Sequence, residues 1–349
     1  MSASDDILLV NFTRLYPDIL FPGKTQFDKS SVEFAFPSER IIDSVNPLTW
    51  LKAARRLNDW GAEVTAFHYW HPFFAPAYKT IASNLGASTL RLGICHNVAP
   101  HEAGGLHKRL AGLFFRRMDA CLVHAPQEVE ELRQNFADVI AAAAFHPLYD
   151  QFPHTDLPRE EAREHLGLGM EERVLLYFGL IRPYKGVDTL LEAARLLGDV
   201  SNLRVLVVGE IYEGRELLTD AVQSAPQGMV RLIDQYIPNE DVSIYFRAAD
   251  IIVLPYKSAT QSGIIPIAYA CERPVIATRV GGLPEAVIEG ETGYIVEPDD
   301  PNQLAAAIRR YFIDLHAPSL SDGVARMRER LSWDKYTEIL RKLIDDTLA

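Results

Sequence analysis

Tyr177-Phe178-Gly179-Leu180-Ile181-Arg182-Pro183-Tyr184-Lys185-Gly186 sets the architecture of this chain. The apolar run Val174–Phe178 has strand length, and Val187-Asp-Thr-Leu-Leu-Glu-Ala-Ala after it has helical period. A strand ending at Gly179 and a helix beginning just past Gly186 make one βα unit. Open α/β sheets bind ligands at the carboxyl ends of their strands, beside helix N-termini. Arg182 offers a two-pronged donor and Lys185 a point charge, a pair suited to a diphosphate. Two solvated loop cations are the plainer account of any isolated pair. The place of this pair beside a glycine at a crevice edge favours the ligand.

The same alternation runs outward in both directions. Further strands are expected at Ile7–Phe12, Val64–Phe67, Leu90–Cys95 and Cys121–His124 in the first half. In the second half they are expected at Arg204–Val208, Val230–Ile233, Ile251–Leu254 and Val275–Thr278. Helical periods fall between them at Leu48–Trp60, Gly105–Met118, Val187–Leu197, Asn239–Ala248 and Asn302–Leu315. Strand–helix alternation of this kind predicts parallel sheets covered on both faces, an α/β fold of Rossmann-like domains.

The segment Pro147–Pro158 carries three prolines and no period, which marks a linker. It separates an N-terminal Rossmann-like domain, 1–152, from a C-terminal one, 153–332. A last helix, 333–349, has apolar spacing that suits packing on either domain, including back on the first. A length of 349 residues fits two domains, since single cores stop growing at roughly 250–300 residues.

Composition bounds the function. With 48% apolar and 23% charged residues the chain is globular in type. Its 47 acidic and 35 basic side chains leave a net charge of −12, against nucleic-acid binding, which needs a positive field. Cys95, Cys121 and Cys271 are far apart and form no CxxC, so buried reduced thiols are expected and no metal site. The start, Met1–Asp6, is acidic and precedes an apolar run of only Ile7–Val10, and no run approaches the ~18 residues of a membrane span. A cytoplasmic protein is expected.

Two more loops follow strands in the second half. Tyr256-Lys-Ser-Ala-Thr-Gln-Ser-Gly263 lies between strand Ile251–Leu254 and a helix expected from about Ser262. Thr260, Gln261, Ser262 and Gly263 there form an anion-binding shape of hydroxyls and free N–H groups, or Ser262 is simply an N-cap. Gly281-Gly282 after the next strand allow close backbone approach or a tight turn.

In the first half, strand Leu90–Cys95 runs into His96-Asn-Val-Ala-Pro-His101-Glu102. His96 can bond a sugar hydroxyl or move a proton, or it is a satisfied structural histidine. The cluster His68–Phe74 reads as core before it reads as a sugar platform. The helix with His107, Lys108, Arg109, Arg116 and Arg117 around Leu110, Leu113, Phe114 and Phe115 suits a buried face with a basic rim, or peripheral membrane contact. Gly23-Lys24-Thr25 lacks the earlier glycine of a P-loop, with Asp18 in its place, and no G-x-G-x-x-G follows a strand.

The ordered series FGLIRPYKGVDTLLEA, VLVVGE, IPNEDVSIYFRAADIIVLPY and RPVIATRVGGLPEAVIEGETGYIVEPDD resembles the family-4 retaining glycosyltransferases. That family has the GT-B fold, two Rossmann-like domains facing across a cleft. The resemblance spans most of the chain and is strongest over Val174–Asp300.

It implies that Arg182 and Lys185 hold the diphosphate of a nucleotide sugar and neutralise the leaving group. It also implies that Gly179, Gly209 and Glu210 lie at the nucleotide side, that Tyr236 and Ile237 lie near the base, and that His96 faces the donor sugar. Transfer would retain the anomeric configuration and need no metal or other cofactor. The acceptor side would take a glycan or a lipid-linked acceptor in surface polysaccharide synthesis, with Gly23, His101 and Glu102 as candidates.

One departure stands out: the family's paired glutamates are replaced by Ala259 and Ile267. That keeps open a non-catalytic nucleotide-sugar-binding partner protein; a sugar-nucleotide epimerase of similar architecture is a third reading.

Overall fold

The computed structural model describes residues 5–17, 36–96, 98, 105–150, 152–259, 261–313 and 317–349. The chain divides into two compact units, Met1–Phe145 with Asp334–Ala349, and His146–Trp333.

The first unit opens with strands β1 (Leu9–Arg14) and β2 (Ser38–Asp43), a parallel pair, followed by helix α1 (Pro47–Trp60). Strand β3 (Val64–Tyr69), helix α2 (Ala75–Ser83), β4 (Leu90–Cys95), α3 (Gly105–Phe115), β5 (Ala120–Val123), α4 (Pro126–Asn135) and β6 (Ile140–Ala143) then alternate. Strands β3 to β6 form a parallel sheet in sequence order.

Aromatic residues fill one face of this sheet. Phe74, Phe114, Phe115 and Tyr69 are fully buried, and Tyr69 stacks on Phe114 with ring centroids 4.3 Å apart. The apolar side of α3 is therefore spent on the core, while Lys108, Arg109, Arg116 and Arg117 are exposed.

The second unit runs α5 (Arg159–Leu166), β7 (Arg173–Phe178), α6 (Val187–Arg195), β8 (Leu203–Val208), α7 (Arg215–Gln223), β9 (Val230–Ile233) and α8 (Asn239–Ala248). It continues through β10 (Ile251–Leu254), α9 (Ile264–Ala270), β11 (Val275–Thr278), α10 (Leu283–Ala286), β12 (Gly293–Val296), α11 (Pro301–Ile313) and α12 (Ala317–Arg330). Its six strands are all parallel and lie in the order β12-β11-β10-β7-β8-β9. This is the doubly wound order of the dinucleotide-binding fold, in which the strand sequence reverses between the first strand and the fourth. Here those are β7 and β10. Every residue of β10 and β11 is buried, which is why both read as unbroken apolar runs.

The last helix, α13 (Trp333–Leu348), belongs to the first unit. Leu340 and Leu343 are buried against Leu90, Leu92, Ile94, Ala120 and Leu122, covering the sheet face that the aromatic core leaves open.

Three strands escape the apolar-run criterion, and each is at a margin. Ser38–Asp43 is largely polar and pairs only with β1; Ile140–Ala143 is an alanine-rich edge strand; Gly293–Val296 is three apolar residues behind a glycine. A strand bonded on one side needs less apolar surface to hold its place. The helix expected from Ser262 starts two residues later, at Ile264.

Two glycines lock the loops at the carboxyl ends of the second sheet. Gly209 has φ 145°, and a Cβ there would fall 1.9 Å from the Gly179 carbonyl oxygen. Gly186 has φ 68°, and its Cβ would fall 1.8 Å from the carbonyl oxygen of Pro255. Both neighbours are backbone and cannot step aside. Gly186→Ala and Gly209→Ala should each lose about 3 kcal/mol of stability in a denaturant titration. Gly61→Ala, at φ 74° with nothing within 4 Å of the new carbon, should lose only about 1 kcal/mol.

Candidate functional site

The loops after β7 and β10 flank the point where the strand order reverses, the place such sheets bind their ligands. In the first of them, Gly179 N donates to Val208 O at 2.9 Å and Ile181 N to Glu210 O at 2.9 Å. The loops after β7 and β8 are thus zipped side by side, with Gly179, Gly209 and Glu210 in the zip. A short 3-10 turn, Pro183–Lys185, then leads into α6.

Arg182 and Lys185 leave this turn as a pair without a carboxylate. Among the described residues neither makes an ion pair, and Arg182 Nε is buried without a hydrogen-bond partner. Instead each cation rests on an aromatic face. The Arg182 guanidinium lies 5.0 Å from the ring centre of Tyr212, and Lys185 Nζ lies 3.7 Å from that of Tyr256. Burial, with a smaller contribution from the neighbouring positive charge of Arg182, pulls the Lys185 ammonium down to about 8. Lys257, by contrast, is paired with Asp188 at 2.7 Å and Asp299 at 2.8 Å, and its value is raised.

The loop after β10 is largely spent on itself. Ser262 Oγ accepts from Ile264 N at 3.3 Å and stands 3.3 Å from the Tyr256 hydroxyl. Gln261 reaches the glycines after β11, where a Cβ on Gly282 would fall 2.3 Å from Gln261 Nε2. Gly263 packs on Tyr149. Ile237 is buried after β9, and Tyr236 beside it is 62% exposed. Thr260 lies outside the described residues, as do Gly23, His101 and Glu102.

In the first unit, His96 follows β4 directly and is not alone. The register pairs His68 with Ile94 and Ile94 with Leu122, so His68, His96 and His124 fall on one face of three neighbouring strand ends. His68 Nδ1 is 3.3 Å from His96 Nε2, and the His96 and His124 rings are 5.0 Å apart. His124 Nδ1 lies 3.0 Å from the Ala144 carbonyl, which can only accept, so that nitrogen carries the proton. Glu128 fixes the backbone behind this row by accepting from Ala125 N at 3.1 Å, His124 N at 3.2 Å and Val98 N at 3.4 Å. Burial, then the neighbouring His124 and His68, pulls His96 down to about 4.

Sequence reasoning gave no site role to Tyr212, Tyr256 or His124, and took His68 as core first. Tyr256 lies two residues past a buried strand, and each of the three histidines stands in or just after a strand end. Those positions were the available signal.

Residues 172–314 match the family model described as glycosyl transferases group 1, about two fifths of the chain. The D-inositol 3-phosphate glycosyltransferase of Corynebacterium glutamicum (strain R) is 30% identical over 246 residues, 66% of this chain and 58% of that protein. The protein of the same name in Mycobacterium bovis (strain BCG / Pasteur 1173P2) is 32% identical over 237 residues, 64% of this chain and 47% of its own length. The chain therefore spans between about half and three fifths of these relatives.

Among solved structures, sucrose-phosphate synthase from Thermosynechococcus elongatus aligns with a TM-score of 0.74 at 20% identity, over 98% of this chain and 90% of its own. Anabaena HepE in complex with UDP-glucose aligns with a TM-score of 0.71 at 16% identity, over 89% and 86%. The fold is GT-B, as in these two structures.

Two titrations follow. The ordinary lysine value is 10.5 and the folded value about 8, so the buried charge weakens the fold below pH 8 and the penalty fades as pH rises toward 10.5. Lys185→Met should therefore melt higher than the parent at neutral pH, with the gain vanishing in alkaline buffer. His96 should remain neutral near pH 5 in long-range 15N NMR spectra, and a midpoint at the ordinary 6.5 would contradict its burial.

Proposed function

We propose that the protein is a retaining glycosyltransferase that moves a sugar from a nucleotide-diphosphate sugar to a hydroxyl acceptor. The observation that carries this reading is the cationic pair Arg182 and Lys185 at the strand-order reversal of the second sheet, with the lysine desolvated and neither cation ion-paired among the described residues. A buried charge left unpaired is costly and persists where a ligand supplies the counter-charge. Relatives named as glycosyltransferases, and the UDP-glucose in the HepE structure, support a nucleotide sugar as that ligand.

In this proposal the pair binds the diphosphate and neutralises the charge that develops as the bond from the anomeric carbon to phosphate breaks. The bond from that carbon to the acceptor oxygen forms on the same face, and the acceptor's proton passes to the departing phosphate oxygen. Side-chain cations then fill the role a divalent metal plays in other transferases. Gly179, Gly209, Glu210, Tyr236, Ile237 and the Thr260–Gly263 loop are the proposed donor contacts. His96, neutral at physiological pH, would bond a sugar hydroxyl.

The proposed acceptor is a glycan or lipid-linked precursor of a surface polysaccharide, handled in the cytoplasm at the inner face of the membrane. No helix among the described residues is long and apolar enough to cross a membrane, and the exposed cations of α3 suit peripheral contact.

The test is a thermal-shift panel of UDP, GDP, ADP and TDP with their sugar conjugates, followed by an acceptor screen. Saturation with the right nucleotide at ~100 times its Kd should add about 2.7 kcal/mol of stability. Arg182→Ala should weaken that ligand by about 1.5–3 kcal/mol. No shift with any nucleotide would remove the assignment. Binding without turnover would favour the non-catalytic partner, and donor conversion without acceptor would favour the epimerase.

A further inference from the structure

The loop that follows β10 contains no carboxylate from Tyr256 to Gly263, and its first residue lies against Lys185. Its contact with Lys185 is an aromatic face. Nζ stands 3.7 Å from the centre of the Tyr256 ring and 5.4 Å from that of Tyr184. The nearer distance is well inside the range in which a ring quadrupole attracts an ammonium.

Three backbone contacts hold the Tyr256 ring in place. The Pro255 carbonyl before it lies against Gly186, so closely that a Cβ on Gly186 would fall 1.8 Å from it. The Tyr256 carbonyl accepts from Thr278 Oγ1 at 2.6 Å, and Lys257 N after it donates to Tyr184 O at 2.8 Å. The hydroxyl at the ring's far end stands 3.3 Å from Ser262 Oγ, which in turn accepts from Ile264 N. The residue is 1% exposed. The ring is therefore pinned to β11, to the turn after β7 and to the start of α9.

We propose that Tyr256 is the positioning residue for Lys185. Its ring face carries the ammonium in the place a carboxylate would otherwise take, and Ser262 fixes the ring's orientation. A carboxylate there would neutralise the lysine and compete with an anionic ligand; a ring holds the charge without cancelling it. Two other groups act on Nζ: Arg182 repels it, and Tyr184 offers a more distant ring. The role of Lys185 toward a diphosphate rests on the function proposed above; the placement of its charge does not.

The test reads the lysine directly. In 15N-lysine-labelled full-length protein, the Nζ resonance of Lys185, identified by its loss in Lys185→Arg, is followed against pH. Tyr256→Leu keeps an apolar neighbour but removes the quadrupole, so the Lys185 midpoint should fall by about one pH unit below that of the parent. Tyr256→Phe keeps the ring and loses only its contact with Ser262, so it should lower the midpoint slightly, far less than Tyr256→Leu. Ser262→Ala frees the hydroxyl and should move it in the same direction as Tyr256→Leu, by less.

If the ring merely shields the ammonium from water, Tyr256→Leu raises the midpoint toward the ordinary lysine value, and the proposal is overturned. An unchanged midpoint overturns it equally. Should Tyr256→Leu fail to fold, a Ser262→Ala midpoint equal to the parent's overturns it as well.

UDP titrations then separate the two readings. A roughly tenfold loss of affinity in Tyr256→Leu, restored in Tyr256→Phe, supports the positioning role. Failure of the parent to bind UDP or any other nucleoside diphosphate removes the transferase reading and leaves the NMR result standing.

Discussion

The close backbone approach of Gly186 to Pro255, and of Gly209 to Gly179, is the constraint on which the candidate site rests. Each contact brings two loops from different strands within a distance no side chain tolerates. The first joins the turn after β7 to the end of β10, across the strand-order reversal. The second joins the loops after β7 and β8, where Ile181 N and Glu210 O complete the zip. With these loops fixed, the directions of Arg182, Lys185 and Tyr256 are fixed too, because little backbone freedom remains between the contacts. A loop ordinarily trades precision for mobility; here the sheet lends its rigidity to the loops.

The second unit treats its cations in two opposite ways. Near the amino ends of β7 and β10, Arg163 is fully buried and satisfied. It donates to Ala248 O, Gly169 O, Met170 O and Asp250 Oδ2 at distances of 2.8 to 3.1 Å. Asp250 in turn accepts from Val174 N at 2.7 Å, and its carbonyl accepts from the Tyr311 hydroxyl at 2.9 Å. That knot is structural, since each charge answers another within the fold. At the carboxyl ends, Arg182 and Lys185 receive aromatic faces and, among the described residues, no anion. The same sheet thus closes its electrostatics at one end and leaves them open at the other.

The first unit shows how register builds a cluster that no local motif announces. Parallel pairing with zero stagger on one side and a two-residue offset on the other puts His68, His96 and His124 on one face. The same face carries Leu90, Leu92 and Ile94, covered by α13 from the far end of the chain. Tyr336 of that helix approaches His124 with nearly parallel rings, 6.4 Å between centroids. The histidine row therefore continues the apolar seam beneath α13 to the strand ends.

What the sequence by itself determined is the alternation of buried strands and amphipathic helices, because central parallel strands must be apolar throughout and their helices apolar on one side. That pattern located β7, β8, β10 and β11 and the loop bearing Arg182 and Lys185. Edge strands β2, β6 and β12 escaped it, since hydrogen bonding on one side relaxes the demand for apolar residues. The tertiary structure alone decided which loops meet. Tyr256 lies 71 positions after Lys185 in the chain, and His124 lies 28 after His96, yet each pair is in contact. Periodicity reports only the face a residue presents to its own element. Strand order and register choose its neighbours, and these are settled by pairing across the sheet.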